Sequence, residues 1–220
     1  MTEKHKENRK KFAFLYLSWT LEWNLVLFSD EKKFSLNGPD GIHRIWINEN
    51  LEEHRKKEQL IRKKNNPKKS ILVWGSIGYK FKSNLVFIDS IINSEDYCEI
   101  LKNNLVPHLK TKIGSRKIFQ QDNAPIHVSG HSEGFFKKNK INLLEWPSLS
   151  PDLNPIENVW GYLTQQIYSN RSCFSNIDEL KESILDAWNS LEFRYIEELI
   201  SSMQKRLEMV VKRDGDVIVY

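Results

Sequence analysis

Two rhythms of apolar residues alternate along this chain, one at the spacing of a helix face and one at that of a strand. Phe12, Leu15, Tyr16 and Trp19 recur at three- and four-residue spacing, which predicts a basic, partly amphipathic helix within residues 1–23. Leu25 to Leu36 then begins as an apolar strand and carries Asp30 near its middle. Asn37-Gly38-Pro39-Asp40-Gly41 is dense in turn formers, and His43 to Ile47 reads as another short strand. A loop or exposed helix fills the interval up to Pro67. Ser70 to Ile77 and Leu85 to Ile88 read as buried strands joined by a glycine-containing turn.

Helical spacing returns from Ser94 to Leu109, with Ser94 as cap, followed by a short strand from Lys117 to Gln121 that ends at Asp122. Ser132 to Asn139 predicts a helix and Ile141 to Glu145 a strand. Asn154 is a good N-cap, Pro155 suits the first helical position, and a helix follows to about Tyr168. Two amphipathic helices, about Ile177 to Leu191 and Tyr195 to Val211, close the chain, with Gly215 past the last. This order predicts an α/β protein, a mixed sheet with helices on its faces. Periodicity alone leaves the strand order open.

A length of 220 residues suits one well-buried core, or a domain carrying an insertion. Hydrophobic content of 40% argues for a globular chain rather than a disordered one. No apolar run approaches the roughly 20 residues needed to span a bilayer, and the charged N-terminus lacks the form of a signal peptide. A soluble, non-secreted protein is expected. Cys98 and Cys173 form neither a disulfide framework nor a metal motif, and are expected to be packing residues.

The net charge of +4 is unevenly spread. Between His54 and Lys69 stand Arg55, Lys56, Lys57, Arg62, Lys63, Lys64, Lys68 and Lys69, against the single acid Glu58. The rest of the chain is slightly acidic. A basic patch on such a protein points to an anionic partner, nucleic acid first. A solvated loop is the plain alternative.

Three carboxylates stand out by position. Asp30 lies on an apolar strand, where a charge is expensive unless it faces a site or a metal. Asp122 sits at a strand end, and Glu157 in the first turn of a helix. Crevices beyond strand ends are where ligands bind in open α/β sheets. Hard oxygen ligands without His or Cys suit magnesium or manganese better than zinc. Two such ions, about 3.5–4 Å apart, can clamp the attacking and leaving oxygens of an in-line displacement at phosphorus. Each acid also has a structural alternative. Asp30-Glu31 suits an edge or turn pair, Asp122 an Asx turn with Asn123, and Glu157 a capping box with Asn154.

The surroundings of these acids resemble a known family. Phe28-Ser29-Asp30-Glu31-Lys32-Lys33-Phe34, Val73-Trp74-Gly75, Gln120-Gln121-Asp122-Asn123-Ala124-Pro125-Ile126-His127, Trp146-Pro147 and the run Ser150 to Trp160 look like the catalytic domain of Tc/mariner-superfamily DNA transposases. The 34 residues between Asp122 and Glu157, and a Glu as third acid, are similar to the Tc-like branch. The likeness runs from about Arg9 to the C-terminus.

The resemblance implies a ribonuclease-H-like fold with Asp30, Asp122 and Glu157 as the catalytic and metal-binding triad. It implies two Mg2+ or Mn2+ ions, cleavage of DNA at transposon ends, and joining of the 3′-hydroxyl to target DNA in the nucleus. Residues 1–23 correspond to a connecting helix and 24–220 to the catalytic domain. Within it, 36–69 corresponds to a clamp-like insertion, which implies a homodimer and phosphate contacts from the basic run. Asn123 and His127 flank the second acid and are candidate site-proximal residues. Trp74, Trp146 and Trp160 read as core anchors. The helix-turn-helix modules of complete relatives are expected to be absent. That leaves open a truncated or domesticated relic acting as a DNA-binding or interaction module, or a nuclease without strand transfer.

Overall fold

The computed structural model describes residues 1–38, 70–109, 117–169 and 173–219. The predicted strand at His43 to Ile47 and the whole basic run from Arg55 to Lys69 lie outside the described residues. Helix α1 (Glu3–Tyr16) opens with a capping box, the Thr2 hydroxyl accepting from the His5 N–H while the His5 ring accepts from the Thr2 N–H. It stops short of residue 23, and a 3-10 turn (Leu21–Leu25) leads into strand β1 (Val26–Ser35). Its buried face is Arg9, Phe12 and Ala13, flanked by Tyr16. Leu15 points away and is 64% exposed, so the expected apolar face is rotated. The helix turns toward the core the stripe that contains its one buried arginine.

Strands β2 (Ser70–Gly78), β3 (Phe81–Lys82) and β4 (Val86–Ile88) follow, then helices α2 (Ser94–Asn104) and α3 (Val106–Leu109). The single helix expected from Ser94 to Leu109 is therefore two. Pro107 explains the break: without an N–H it is tolerated in a first turn and not in a helix interior. The cap is Asn93, not Ser94; its side chain accepts from the Glu95 and Asp96 N–H groups at 2.8 and 3.0 Å. Strand β5 (Ile118–Gln120), helix α4 (Gly130–Asn139) and the short strand β6 (Asn142–Leu143) come next. Helix α5 (Pro155–Ser169) begins at the predicted proline, and α6 (Ile177–Ser190) follows it. The last expected helix is again two, α7 (Phe193–Ser201) and α8 (Met203–Lys212), hinged at Ser202.

The sheet order is β3-β2-β1-β5-β6, with β4 also pairing with β2. β1 and β2 are antiparallel, while β1, β5 and β6 run parallel. Alternation along β1 sends Val26 and Phe28 to one face and Leu27 to the other. The first face packs against α1 and the helices from α5 onward through Trp160, Leu163, Ile184, Ile196 and Leu207. The second packs against α2 and α4 through Trp74, Tyr97, Leu101, Phe119 and Phe136. Each such large apolar side chain contributes about 1.5–3 kcal/mol on burial, so both layers are needed to hold β1 in the middle.

α1 belongs to the first layer and lies along α8. Gly215, just past α8, has φ 84°, and an added Cβ would stand 2.3 Å from the Lys6 carbonyl. Only glycine allows the two chain ends to meet there. Among the described residues no helix is long and apolar enough to cross a membrane.

Candidate active site

The sheet is stepped. β5 pairs with β1 only as far as Phe28↔Gln120, while β1 continues to Ser35. The edge of β1 is thus open beyond that point, in a crevice at the carboxyl end of β5. Asp30 is two residues past Phe28 and Asp122 two past Gln120, so parallel register brings the two acids to the same height. Asp30 follows the even series of β1 and so faces α5, the helix that carries Glu157.

Three contacts fix the Asp30 side. Trp160, fully buried, donates its indole N–H to Asp30 Oδ2 at 3.2 Å. Gly75, the residue opposite Asp30 on β2, makes room for that indole; a Cβ there would lie 3.0 Å from Trp160 Cη2 and from Leu85 Cδ2. Asn154 donates its side-chain amide to the Ser29 carbonyl at 3.1 Å, pinning the start of α5 to β1 next to Asp30. Trp160 is therefore the core anchor expected, and a ligand of Asp30 besides.

Asn154 also caps α5, its Oδ1 accepting from the Ile156 N–H at 3.3 Å. Its own N–H, however, donates to the Pro151 carbonyl at 2.9 Å. That removes the donor a capping box would offer Glu157, and Glu157 instead lines a cleft of about 290 Å³ together with Asp30, Glu31, Lys32, Thr164 and Tyr168. The turn ahead of α5 is held from behind by two buried arginines. Arg9 makes a two-pronged pair with Asp152 at 2.7 and 2.6 Å, and Arg206 donates to the Asp152 carbonyl (2.9 Å) and to Asn158 Oδ1 (2.7 Å). Such forked pairs fix orientation as well as charge.

Asp122 is held differently, by its own turn. Its Oδ1 accepts both from the Ala124 N–H at 2.9 Å and from His127 Nδ1 at 2.6 Å. The expected Asx turn is present, and the acid still projects, with a side chain 57% exposed. His127 is buried, its ring tilted against Tyr97 with centroids 4.2 Å apart, and its Nε2 faces Glu31 Oε1 at 3.6 Å. Asn123 turns away from the acids and donates to the Trp146 carbonyl (2.9 Å) and Ser148 Oγ (3.3 Å), fastening the loop that leads to Ser150. Trp74 and Trp146 are buried, as expected.

Electrostatics divides the acids. Burial, then the negative charges of Glu157, Glu31 and Asp122, pushes Asp30 up to about 8. Burial also raises Glu157, with Lys32 opposing it. Asp122 is lowered, chiefly by the hydrogen bond from His127. Burial pulls His127 down, but its bond to Asp122 and the facing carboxylate of Glu31 outweigh that and lift it to about 9.

Among the described residues no three acidic, His or Cys side chains close around one point tightly enough to hold an ion unaided. What is assembled is an open, mutually repelling carboxylate set. A divalent cation relieves that repulsion, and the hard oxygen donors suit magnesium or manganese. Sequence reasoning missed Glu31 as a partner of His127, the arginine pair on Asp152, and the Trp160 bond. Each joins residues distant in the chain, and no local pattern announces them.

A sheet covered on both faces, with carboxylates gathered where parallel strands end, is the architecture of a ribonuclease-H-like catalytic domain. The family model described as DDE superfamily endonuclease matches residues 25–181. The chain is 39% identical over 216 residues to the Tc3 transposase of Caenorhabditis elegans, covering 98% of this chain and 64% of that protein. It is 33% identical over 213 residues to the Tcb1 transposase of Caenorhabditis briggsae, covering 96% and 77%. The catalytic domain of Mos1 mariner transposase matches with a TM-score of 0.75 at 16% identity, covering 100% of this chain and 98% of that one. The Mos1 paired-end complex with left transposon end matches at 0.79 and 17%, covering 100% and 65%. These structural likenesses carry the ribonuclease-H-like fold. The chain belongs to the DDE superfamily endonucleases, in the Tc/mariner transposase group, and spans just under two thirds of the Tc3 protein's length.

Proposed function

We propose that this domain cleaves DNA at transposon ends and joins the freed 3′-hydroxyl to target DNA, with Asp30, Asp122 and Glu157 as its catalytic, metal-binding acids. The observation that carries the reading is the crowding of Asp30. A buried carboxylate that feels the charge of three others is costly, and it makes physical sense where a cation is to be held. Solved Mos1 catalytic-domain structures with Mn and with Mg accord with this choice of ion. Two such ions, once bound, supply charge neutralisation at the attacking and leaving oxygens of an in-line displacement.

The chain's own residues do the positioning. Trp160 holds one oxygen of Asp30 and Asn154 fixes the approach of α5, so the Asp30–Glu157 side is set before substrate arrives. The Ala124 N–H and His127 hold Oδ1 of Asp122. Lys32, beside Glu157 in the cleft, supplies positive charge for a phosphodiester. The basic run Arg55, Lys56, Lys57, Arg62, Lys63, Lys64, Lys68 and Lys69 is assigned to phosphate neutralisation and to contact between two copies of the chain. That makes DNA binding steeply salt-dependent. The substrate is nuclear DNA.

The test is nicking of plasmid DNA with Mn2+, parent against Asp122→Asn, followed by joining of a pre-cleaved 3′-hydroxyl end. The parent should nick and join, and the variant should lose more than about 100-fold of both. Equal nicking by the two removes the catalytic assignment. Nicking without any joined product reduces the domain to a nuclease.

A further inference from the structure

We propose that Glu31 and His127 form a positioning pair that locks Asp122 so that only its Oδ2 is offered to a divalent cation. The inference rests on the reading of Asp122 as a metal-binding acid. Both donors to Asp122, the Ala124 N–H and His127 Nδ1, converge on the same oxygen, Oδ1. Oδ2 takes no hydrogen bond from any described residue. An exposed aspartate at the end of a strand would otherwise sample several rotamers; two bonds to one oxygen select a single posture.

The imidazole that does this is itself immobilised. It is 3% exposed and its ring lies against Tyr97 with centroids 4.2 Å apart. Tyr97 donates its hydroxyl to Gln121 Oε1 at 2.7 Å, and Gln121 donates through Nε2 to the His127 carbonyl at 3.1 Å. The His127 N–H closes the same turn on the Ala124 carbonyl at 2.8 Å. One atom of the ring lacks a hydrogen-bond partner: Nε2, fully buried. The carboxylate in front of it is Glu31, with Oε1 at 3.6 Å and a side chain 17% exposed. A buried ring nitrogen short of a partner is costly, and Glu31 is placed to supply one.

Strand alternation makes the arrangement possible. Asp30 and Glu31 are neighbours on β1, so they leave the strand on opposite faces. Asp30 meets Trp160 and α5 on one face. On the other, Glu31 meets His127, and through it orients Asp122. One dipeptide thus governs two of the three acids, the first directly and the second through a histidine. Partners that orient a metal-binding group in this way commonly matter about as much as 10–100-fold in metal affinity.

The test is Mn2+ affinity by calorimetric titration, with the melting temperature of each metal-free protein as a check on folding. Glu31→Ala should weaken Mn2+ binding by about 10–100-fold while the metal-free protein still unfolds in one cooperative transition, at a somewhat lower temperature than the parent. Glu31→Gln, whose amide oxygen still accepts from Nε2, should bind as the parent does. Parent-like binding by Glu31→Ala overturns the pair. So does equal loss in Glu31→Ala and Glu31→Gln, which would make Glu31 a direct ligand. Asp122→Asn separates the two levels. If it too leaves the titration unchanged, the reading of the metal site falls, and the pair with it. If it abolishes binding while Glu31→Ala does not, only the pair falls.

Discussion

The two sides of this site hold their acids by opposite means. Asp122 is fixed by partners two and five residues away, inside a single turn, and stays exposed and easily ionised. Asp30 and the helix of Glu157 are brought together by bonds spanning 130 and 125 residues, from Trp160 to Asp30 and from Asn154 to Ser29. That side is buried, and its carboxylates resist ionisation. One acid therefore ionises more readily than usual, while burial in the core raises the cost of charging the other two. The difference teaches that the repulsion at such a site is borne where packing is strongest, and that a local turn suffices for the acid that carries little of it.

The contrast breaks most severely if the long-range side loses its brace. Arg9→Ala leaves Asp152 buried without its forked partner and should cost about 3–5 kcal/mol of stability. Denaturant unfolding measures it. A loss under about 1 kcal/mol would show that the pair is ornamental and that α5 is seated by apolar packing alone.

A pH series sharpens the contrast next. Asp30 has a folded pKa of about 8 against an ordinary 3.8, so the folded state binds that proton more tightly. Its contribution to stability is full below the ordinary value and is lost as pH rises toward 8. His127, raised to about 9 from 6.5, acts in the same direction over the upper part of that range. Asp122, lowered, acts oppositely: its contribution is present above its ordinary value and lost on acidification. Metal-free protein should thus melt about 5 °C or more lower at pH 8 than at pH 5. Asp30→Asn should flatten most of that slope, leaving the parts due to Glu157 and His127, and Mn2+ should restore the melting temperature at the higher pH. A melting temperature that rises from pH 5 to pH 8 contradicts the burial of Asp30.

The smallest expected effect isolates one hydrogen bond. Trp160→Phe keeps an aromatic ring over Gly75 and removes the N–H that reaches Asp30. It should cost about 1 kcal/mol and slow nicking by about fivefold, since 1.4 kcal/mol is one decade in rate. Stopped-flow or gel kinetics on the folded variant reads it. An unchanged rate would return Trp160 to a purely packing role.

Much of this protein was written in its local patterns. The run around Pro155 announced a cap, a first-turn proline and a carboxylate on the following helix, and each stands where the pattern put it, because capping and helix periodicity involve only neighbouring residues. The strand of Asp30 and the turn of Asp122 were legible for the same reason. Local patterns misread α1, whose buried stripe follows Arg9 rather than Leu15, because a charged residue on a buried face makes sense only once Asp152 is known to meet it. They also ran two pairs of helices together, across Pro107, whose missing N–H ends the first run, and across Ser202, where the chain turns between two packed helices.

Only the folded chain decided that Gly75 makes room for Trp160, that Asn154 ties its helix to Ser29, and that His127 stands between Glu31 and Asp122. Groups 54 to 206 positions apart along the backbone have no periodic relation to one another. Their meeting depends on strand order and register, which are selected by burying both faces of β1 at once. The sequence by itself determined which residues can bear charge, turn a chain or start a helix; tertiary packing decided which of them face each other.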